Sequence, residues 1–226
     1  MNTNPFVTKD GNEIYFVSTR PIDGVGPAKD NWDMWKIERT NSGWSKPVHL
    51  DSPINADGSD FFPTMADNGN LYFGSSRKGG QGRADIYVSK FVNGKYTIPE
   101  NLGDSINSEH NEYEPFIAPD ESYLIFMATI PDGISNADFY LSYNINGKWS
   151  KAKKLSAPIN SPAVEWGGKV TRDGKYFFFG SSRNKISNEL PQKENITEFS
   201  KRINSPGNGS GDIYMMDVLE LGIHKK

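Results

Sequence analysis

Apolar and polar positions along the chain fall into short strands, and the same set of strands returns four times. An Asp turn leading into an apolar run reads DGNEIYFVSTR at 10–20, DNGNLYFGSSR at 67–77, DESYLIFMATI at 120–130 and DGKYFFFGSSR at 173–183. A second run opens each time on an aspartate with an aromatic two residues later: DMWKIE from Asp33, DIYVSKF from Asp85, DFYLSYN from Asp138 and DIYMMD from Asp212. Successive aspartates of this set lie 52, 53 and 74 residues apart, so the last copy carries an insertion, at 184–211. A fixed period of this length is the signature of a repeat architecture.

Two further columns complete the unit. SGWSKPVHL at 42–50, NGKYTIPENL at 93–102 and NGKWSKAKKL at 146–155 are hairpin turns followed by a strand that opens on Trp44, Tyr96 or Trp149. Ile54-Asn55, Ile106-Asn107 and Ile159-Asn160 are each followed, five residues after the asparagine, by Asp60, Glu112 or Glu165, and no fourth copy of this column is visible. Cuts near Pro5, Pro63, Pro115 and Gly168 give four blades at approximately 5–50, 63–102, 115–155 and 168–217. The pattern predicts an all-β chain, a β-propeller of four-stranded antiparallel blades in a single domain over 1–226. Helix is expected only in the insertion, around 192–203, or in the tail after Met216.

These columns resemble the WD40-like (PD40-type) repeat of the TolB β-propeller family, with its Asp turn, IYFxSxR strand and DIY strand, from about Pro5 to Asp217. The resemblance implies a bacterial protein, periplasmic or secreted, of a family that is typically six-bladed, so that the chain looks like the four C-terminal blades of a six-bladed relative. The fourth repeat ends after its DIY strand with no WSKPVHL-like outer strand. Two outcomes are expected from this: an incomplete ring with an exposed sheet edge and self-association through that edge, or a complete four-bladed ring with residues 217–223 as a poor last strand.

Composition narrows the partners. Among 226 residues there is no cysteine, which excludes a disulfide framework and thiolate metal sites, and a net charge of −3 gives no global attraction to nucleic acid or an anionic surface. The first residues show no basic-then-apolar leader, and no window is apolar enough for a membrane-spanning helix. No cofactor and no metal site is implied, because His49, His110 and His224 are far apart and GxSxG, P-loop and GxGxxG patterns are absent. The segment INSEHNEYE, with Glu109, His110, Glu112 and Glu114, gathers oxygen ligands for a hard cation but lacks a calcium-loop pattern.

Candidate chemistry lies at the ends of the inner strands. The four DIY aspartates recur with the repeat and read as locks for backbone N–H groups. Arg20, Arg77 and Arg183 follow the second strand of their repeats, whereas the third has Ile130 there. With Asp60, Glu112 and Glu165 they are expected near one mouth of the propeller channel, either as ion pairs between blades or as a polar ligand cup. Phe61, Tyr113 and Trp166 directly follow the three acids and would offer stacking faces to a sugar ring. The insertion, with Lys185, Lys193, Lys201 and Arg202, is either a lid or partner contact or a tolerated surface loop.

Three functions fit these residues. The first is a non-enzymatic binding module that presents its channel face to a protein, peptide or glycan. The second is a carbohydrate-active lyase or hydrolase with a carboxylate among Asp60, Glu112 and Glu165 as acid or base. The third is an inactive piece of a larger propeller.

Overall fold

Each Asp turn closes through a side-chain oxygen that accepts the N–H two residues on. Asn12 donates to Asp10 at 3.0 Å, Ser122 to Asp120 at 3.0 Å and Lys175 to Asp173 at 3.1 Å, while in the second repeat Asn70 donates to Asn68 at 3.0 Å. These turns fix the hairpins from which the sheets grow. The structure, a computed structural model, describes residues 1–131, 137–184, 195–208 and 210–223.

The first sheet holds β1 (Asn2–Val7), β2 (Glu13–Ser18) and β3 (Asp33–Thr40), with the short pieces β4 (Gly43–Trp44) and β5 (Val48–His49) both paired to β3. In the second repeat β6 (Asp60–Met65), β7 (Leu71–Ser75) and β8 (Asp85–Ser89) are followed by the hairpin β9 (Phe91–Val92) and β10 (Lys95–Tyr96). The sheet is completed by β11 (Glu100–Asn101) beside β8. The third repeats the first, with β12 (Glu112–Ile117), β13 (Tyr123–Ala128), β14 (Asp138–Ile145), β15 (Lys148–Trp149) and β16 (Lys153–Lys154). The fourth sheet has three strands among the described residues: β17 (Glu165–Val170), β18 (Tyr176–Ser181) and β19 (Asp212–Asp217). The strand pairings within these sheets are antiparallel, as the meander requires.

The expected helix is α1 (Ile196–Ile203), started by a capping box in which the Asn195 side chain accepts from Thr197 and Glu198 N–H and the Glu198 carboxylate accepts from Asn195 N–H. No residue of α1 is buried. After β19 the chain makes a 3₁₀ turn at Val218–Leu221. Lys185, Lys193 and His224 lie outside the described residues.

The chain divides into two compact units, Met1–Ala128 with Tyr140–Lys153, and Thr129–Phe139 with Lys154–Lys226. In the first, Tyr15, Val17, Met34, Leu50, Ile54, Leu71, Phe73 and Tyr87 form one buried cluster. In the second, Phe139, Phe177 and Phe179 pack with ring centroids 5.4–6.0 Å apart. Gly168 permits this, because a Cβ there would fall 2.6 Å from the Phe139 ring.

One interaction recurs with nearly constant geometry. The side-chain amide of Asn55 accepts Met34 N–H at 2.8 Å and donates to Met34 C=O at 2.9 Å. Asn107 does the same to Ile86 at 2.8 and 2.9 Å, and Asn160 to Phe139 at 2.8 and 3.0 Å. Each asparagine thus stands in for a neighbouring strand, satisfying a buried peptide group that the short outer strand does not cover. Replacing Asn107 by Ala leaves the Ile86 N–H buried without a partner and is expected to destabilise the fold by about 2–3 kcal/mol, read as a lowered urea midpoint. A loss below about 0.5 kcal/mol, the range of an ordinary surface substitution, would mean that the bridge contributes little.

Candidate functional site

The ion pairs at the strand ends lie within one sheet, while the same guanidinium groups donate to carbonyls of the segment that precedes it: Arg77 to Ile54 at 2.7 Å, and Arg183 to Pro158 and Ile159 at 2.6 Å. Asp60 opens β6 directly opposite Ser75, so the arginine two residues after that serine folds back over the same pair of strands. Arg77 donates from Nε to Ser75 Oγ at 2.8 Å and from Nη2 to Asp60 at 2.7 Å, and its guanidinium lies over the Phe73 and Tyr87 rings. Arg183 repeats this with Ser181, Glu165 at 3.2 Å, Phe179 and Tyr214. In the first repeat the acid's place is taken by Asn2, which pairs with Ser18 in register and accepts from Arg20 at 2.9 Å. Asn2 is therefore the fourth copy that the acid column hides, an amide where the others have a carboxylate.

Glu112 departs from this scheme. It opens β12 opposite Ala128, where the other repeats have serine, and among the described residues no arginine reaches it. Its oxygens accept the Ser108 N–H at 3.0 Å and the Ser108 hydroxyl at 2.5 Å. Burial raises the Glu112 carboxyl above the usual carboxylate range; the two Ser108 bonds oppose this, and the nearby charge of Asp85 reinforces it. Like Asp60 and Glu165, Glu112 is completely enclosed by protein. All three acids hold strand starts and none faces an opening.

What opens is the stretch next to them. Each inner strand carries a β-bulge, with register shifts at Thr3/Phe6, Phe61/Thr64, Tyr113/Phe116 and Trp166/Lys169. The first extra residue has a left-handed φ: Asn4 at 51°, Phe62 at 55°, Glu114 at 50° and Gly167 at 67°. Three of the four precede a proline, whose missing N–H is harmless where the ladder is already broken. A phenylalanine at φ 55° is sterically costly, and such backbone is retained mainly where it aims a side chain.

In the first unit the first three of these bulges line a cavity of about 660 Å³, whose walls include Asn4, Trp32, Phe61, Phe62, Asn111, Tyr113 and Glu114. The Phe61 and Phe62 rings meet edge to face at 5.4 Å, and Phe62 lies 6.0 Å from Tyr113 at a 32° tilt. Burial, with the charge of Glu114, pushes the Tyr113 phenol up to about 12, so it is a neutral hydroxyl at physiological pH. Of the nine site residues expected from the sequence, Phe61 and Tyr113 reach this cavity. Phe61 also covers Gly74, and in the second unit Trp166 covers Gly180 in the same way, each glycine leaving room for the ring.

Asn4, Trp32, Phe62 and Asn111 went unnoticed in the sequence, and Glu114 was seen only as part of an acidic loop. The signal was the recurring proline, which marks the bulge and hence the residue before it. Among the described residues no cluster of three or more His, Asp or Glu could hold a metal ion. A second cavity, of about 510 Å³, is lined in part by Glu13, Tyr15, Lys36 and Tyr96. These four bond to one another at 2.8–3.3 Å and so offer little to a ligand.

Solved structures share this architecture. A putative TolB from Agrobacterium tumefaciens superposes with a TM-score of 0.57 at 13% identity, over 95% of this chain and 60% of that one. The fold is a TolB-like β-propeller. An α-L-arabinofuranosidase from Lactobacillus brevis matches with a TM-score of 0.57 at 13% identity over 96% of this chain and 72% of its own, and a glycoside hydrolase with 0.52 at 9% over 80% and 65%. No family model and no curated protein matches the chain in sequence. The propeller spans about 60% of the length of its TolB neighbour, and at these identities the likeness is one of fold.

The enclosed Glu112 carboxyl has a measurable consequence. A carboxyl whose folded-state pKa lies above its unfolded value adds stability below the unfolded pKa, and that contribution is lost as pH rises through the folded pKa. Glu112→Gln stays uncharged throughout, so its melting temperature relative to the parent is expected to rise between about pH 4 and pH 7. A difference that is flat or falls with pH would contradict the placement of Glu112.

Proposed function

We propose that the protein is a non-enzymatic binding module whose inner-strand cavity takes a glycan. The observation that carries this reading is the lining of the 660 Å³ cavity: aromatic faces from Trp32, Phe61, Phe62 and Tyr113 beside the amides of Asn4 and Asn111 and the carboxylate of Glu114. Rings stack on the apolar faces of sugars, and a carboxylate with amides and a neutral phenol pairs with hydroxyls as both acceptor and donor. The volume lies in the range of small-molecule sites. Two fold neighbours whose names denote carbohydrate-active enzymes support sugars as the ligand class.

Hydrolysis has weaker support. Glycosidases flank the scissile bond with two carboxyl groups, and Glu114 is the single carboxylate lining this cavity among the described residues. The acids first suspected are engaged at strand starts and enclosed. Tight positioning of a ligand needs only the cavity.

Thermal-shift and calorimetric titration with arabino-, xylo- and cello-oligosaccharides test the reading. One series is expected to stabilise the parent, and Glu114→Gln and Phe62→Asn are expected to weaken it about tenfold while retaining the fold, since asparagine accepts a left-handed φ. Stabilisation by none of the sugars would remove the glycan reading. Release of reducing sugar, lost in Glu114→Gln, would replace it with an enzymatic one.

A further inference from the structure

Each of the first three DIY strands is covered by the segment that follows it, always through the same contacts. Leu50, Leu102 and Leu155 donate their N–H to the carbonyls of Met34, Ile86 and Phe139 at 3.1, 3.1 and 2.9 Å. Five residues later Asn55, Asn107 and Asn160 clamp the same peptide groups. The residue before each leucine reaches the DIY aspartate: His49 to Asp33 at 3.0 Å, Asn101 to Asp85 at 2.7 Å and Lys154 to Asp138 at 2.7 Å. The covering segment therefore has one form, His/Asn/Lys-Leu-x-x-x-Ile-Asn. Met34, Ile86 and Phe139 are 0% exposed, and the Phe139 ring packs on Phe177 and Phe179 of the following sheet.

The fourth strand offers the same acceptor with no such segment on it among the described residues. Ile213 occupies the position of Met34, Ile86 and Phe139 but is 82% exposed, and Met215 is exposed beside it. Ile213 pairs with Gly180 in the register that Ile86 has with Gly74, so the alternation of the ladder turns its N–H and C=O towards the open edge. Asp212 accepts from Gly207 N–H, and among the described residues no cationic or amide side chain meets it as in the other three repeats. The edge is also acidic, with Asp212 and Asp217 on one strand, whereas its best-matched covering segment, 148–161, carries four lysines.

We propose that the outer edge of β19 at Asp212–Met215 is a docking site for a strand of another polypeptide carrying the motif Lys/His/Asn-Leu-x-x-x-Ile-Asn. The strand adds antiparallel to β19. Its leucine N–H reaches Ile213 C=O, its asparagine clamps the Ile213 peptide group, and its leading cationic or amide side chain reaches Asp212. This is strand addition to a sheet edge, with main-chain bonds supplying affinity and the leucine, isoleucine and asparagine supplying specificity. It is independent of the glycan cavity.

The test is fluorescence polarisation of a labelled synthetic peptide with the sequence of residues 148–161, KWSKAKKLSAPINS, titrated with the full chain at physiological salt. Saturable binding is expected, weakened about tenfold or more when the peptide asparagine is replaced by alanine and again when the protein carries Ile213→Lys, a change at an exposed side chain that leaves the melting temperature intact. No binding at millimolar peptide would overturn the proposal. So would equal binding of a scrambled peptide, which would reduce the contact to charge. A concentration-dependent dimer that Ile213→Lys abolishes, seen by sedimentation, would overturn it in favour of a second copy of this chain.

Discussion

The structure depends on how a buried peptide group at a strand edge is satisfied. The third strand of each of the first three repeats has its inner edge paired and its outer edge met by a strand of two residues, too short to cover it. The amides of Asn55, Asn107 and Asn160 close this gap by accepting one N–H and donating to one C=O, as an opposing strand would. Leaving a buried donor unmade costs about 1–3 kcal/mol. The clamp also fixes where the connecting chain runs. Five residues on, Asp60, Glu112 or Glu165 begins the next inner strand and caps the intervening turn, by accepting the N–H of Ala56 or Ser108 or the hydroxyl of Ser161.

Repetition separates scaffold from site. Groups that recur with the repeat, such as the four DIY aspartates and, in three of the four repeats, the arginine over two aromatic rings, are explained by the blade alone. The bulges are different in kind. Their backbone recurs, with φ between 50° and 67°, yet the side chains are Asn4, Phe62, Glu114 and Gly167. A constant backbone with four unlike side chains is a place where binding chemistry can change without disturbing the sheet. Three of these side chains line the aromatic cavity of the first unit.

The repeat, the strands and the helix of the insertion were legible because they follow from periodicity, turn residues and the 28-residue interruption at 184–211. Ion pairs between blades were one of the two readings of the arginines and acids, because the repeats were cut at the prolines. Strand pairing starts earlier, at Asn2, Asp60, Glu112 and Glu165, which puts each arginine on the same blade as its partner. Asn2 itself escaped notice because a search for carboxylates passes over an amide that serves the same arginine. Phe62 and Glu114 became visible only with the backbone dihedrals, since a left-handed φ at a bulky residue leaves no trace in composition. The following proline was the one available sign.

Amide hydrogen exchange followed by NMR measures the asparagine clamp most directly. The amides of Met34, Ile86 and Phe139 bond to buried side chains and should exchange only through large-scale opening. That of Ile213, in the same position of β19 with no asparagine upon it among the described residues, should exchange orders of magnitude faster. Equal protection at all four positions, or fast exchange at Met34, Ile86 and Phe139, would contradict the account.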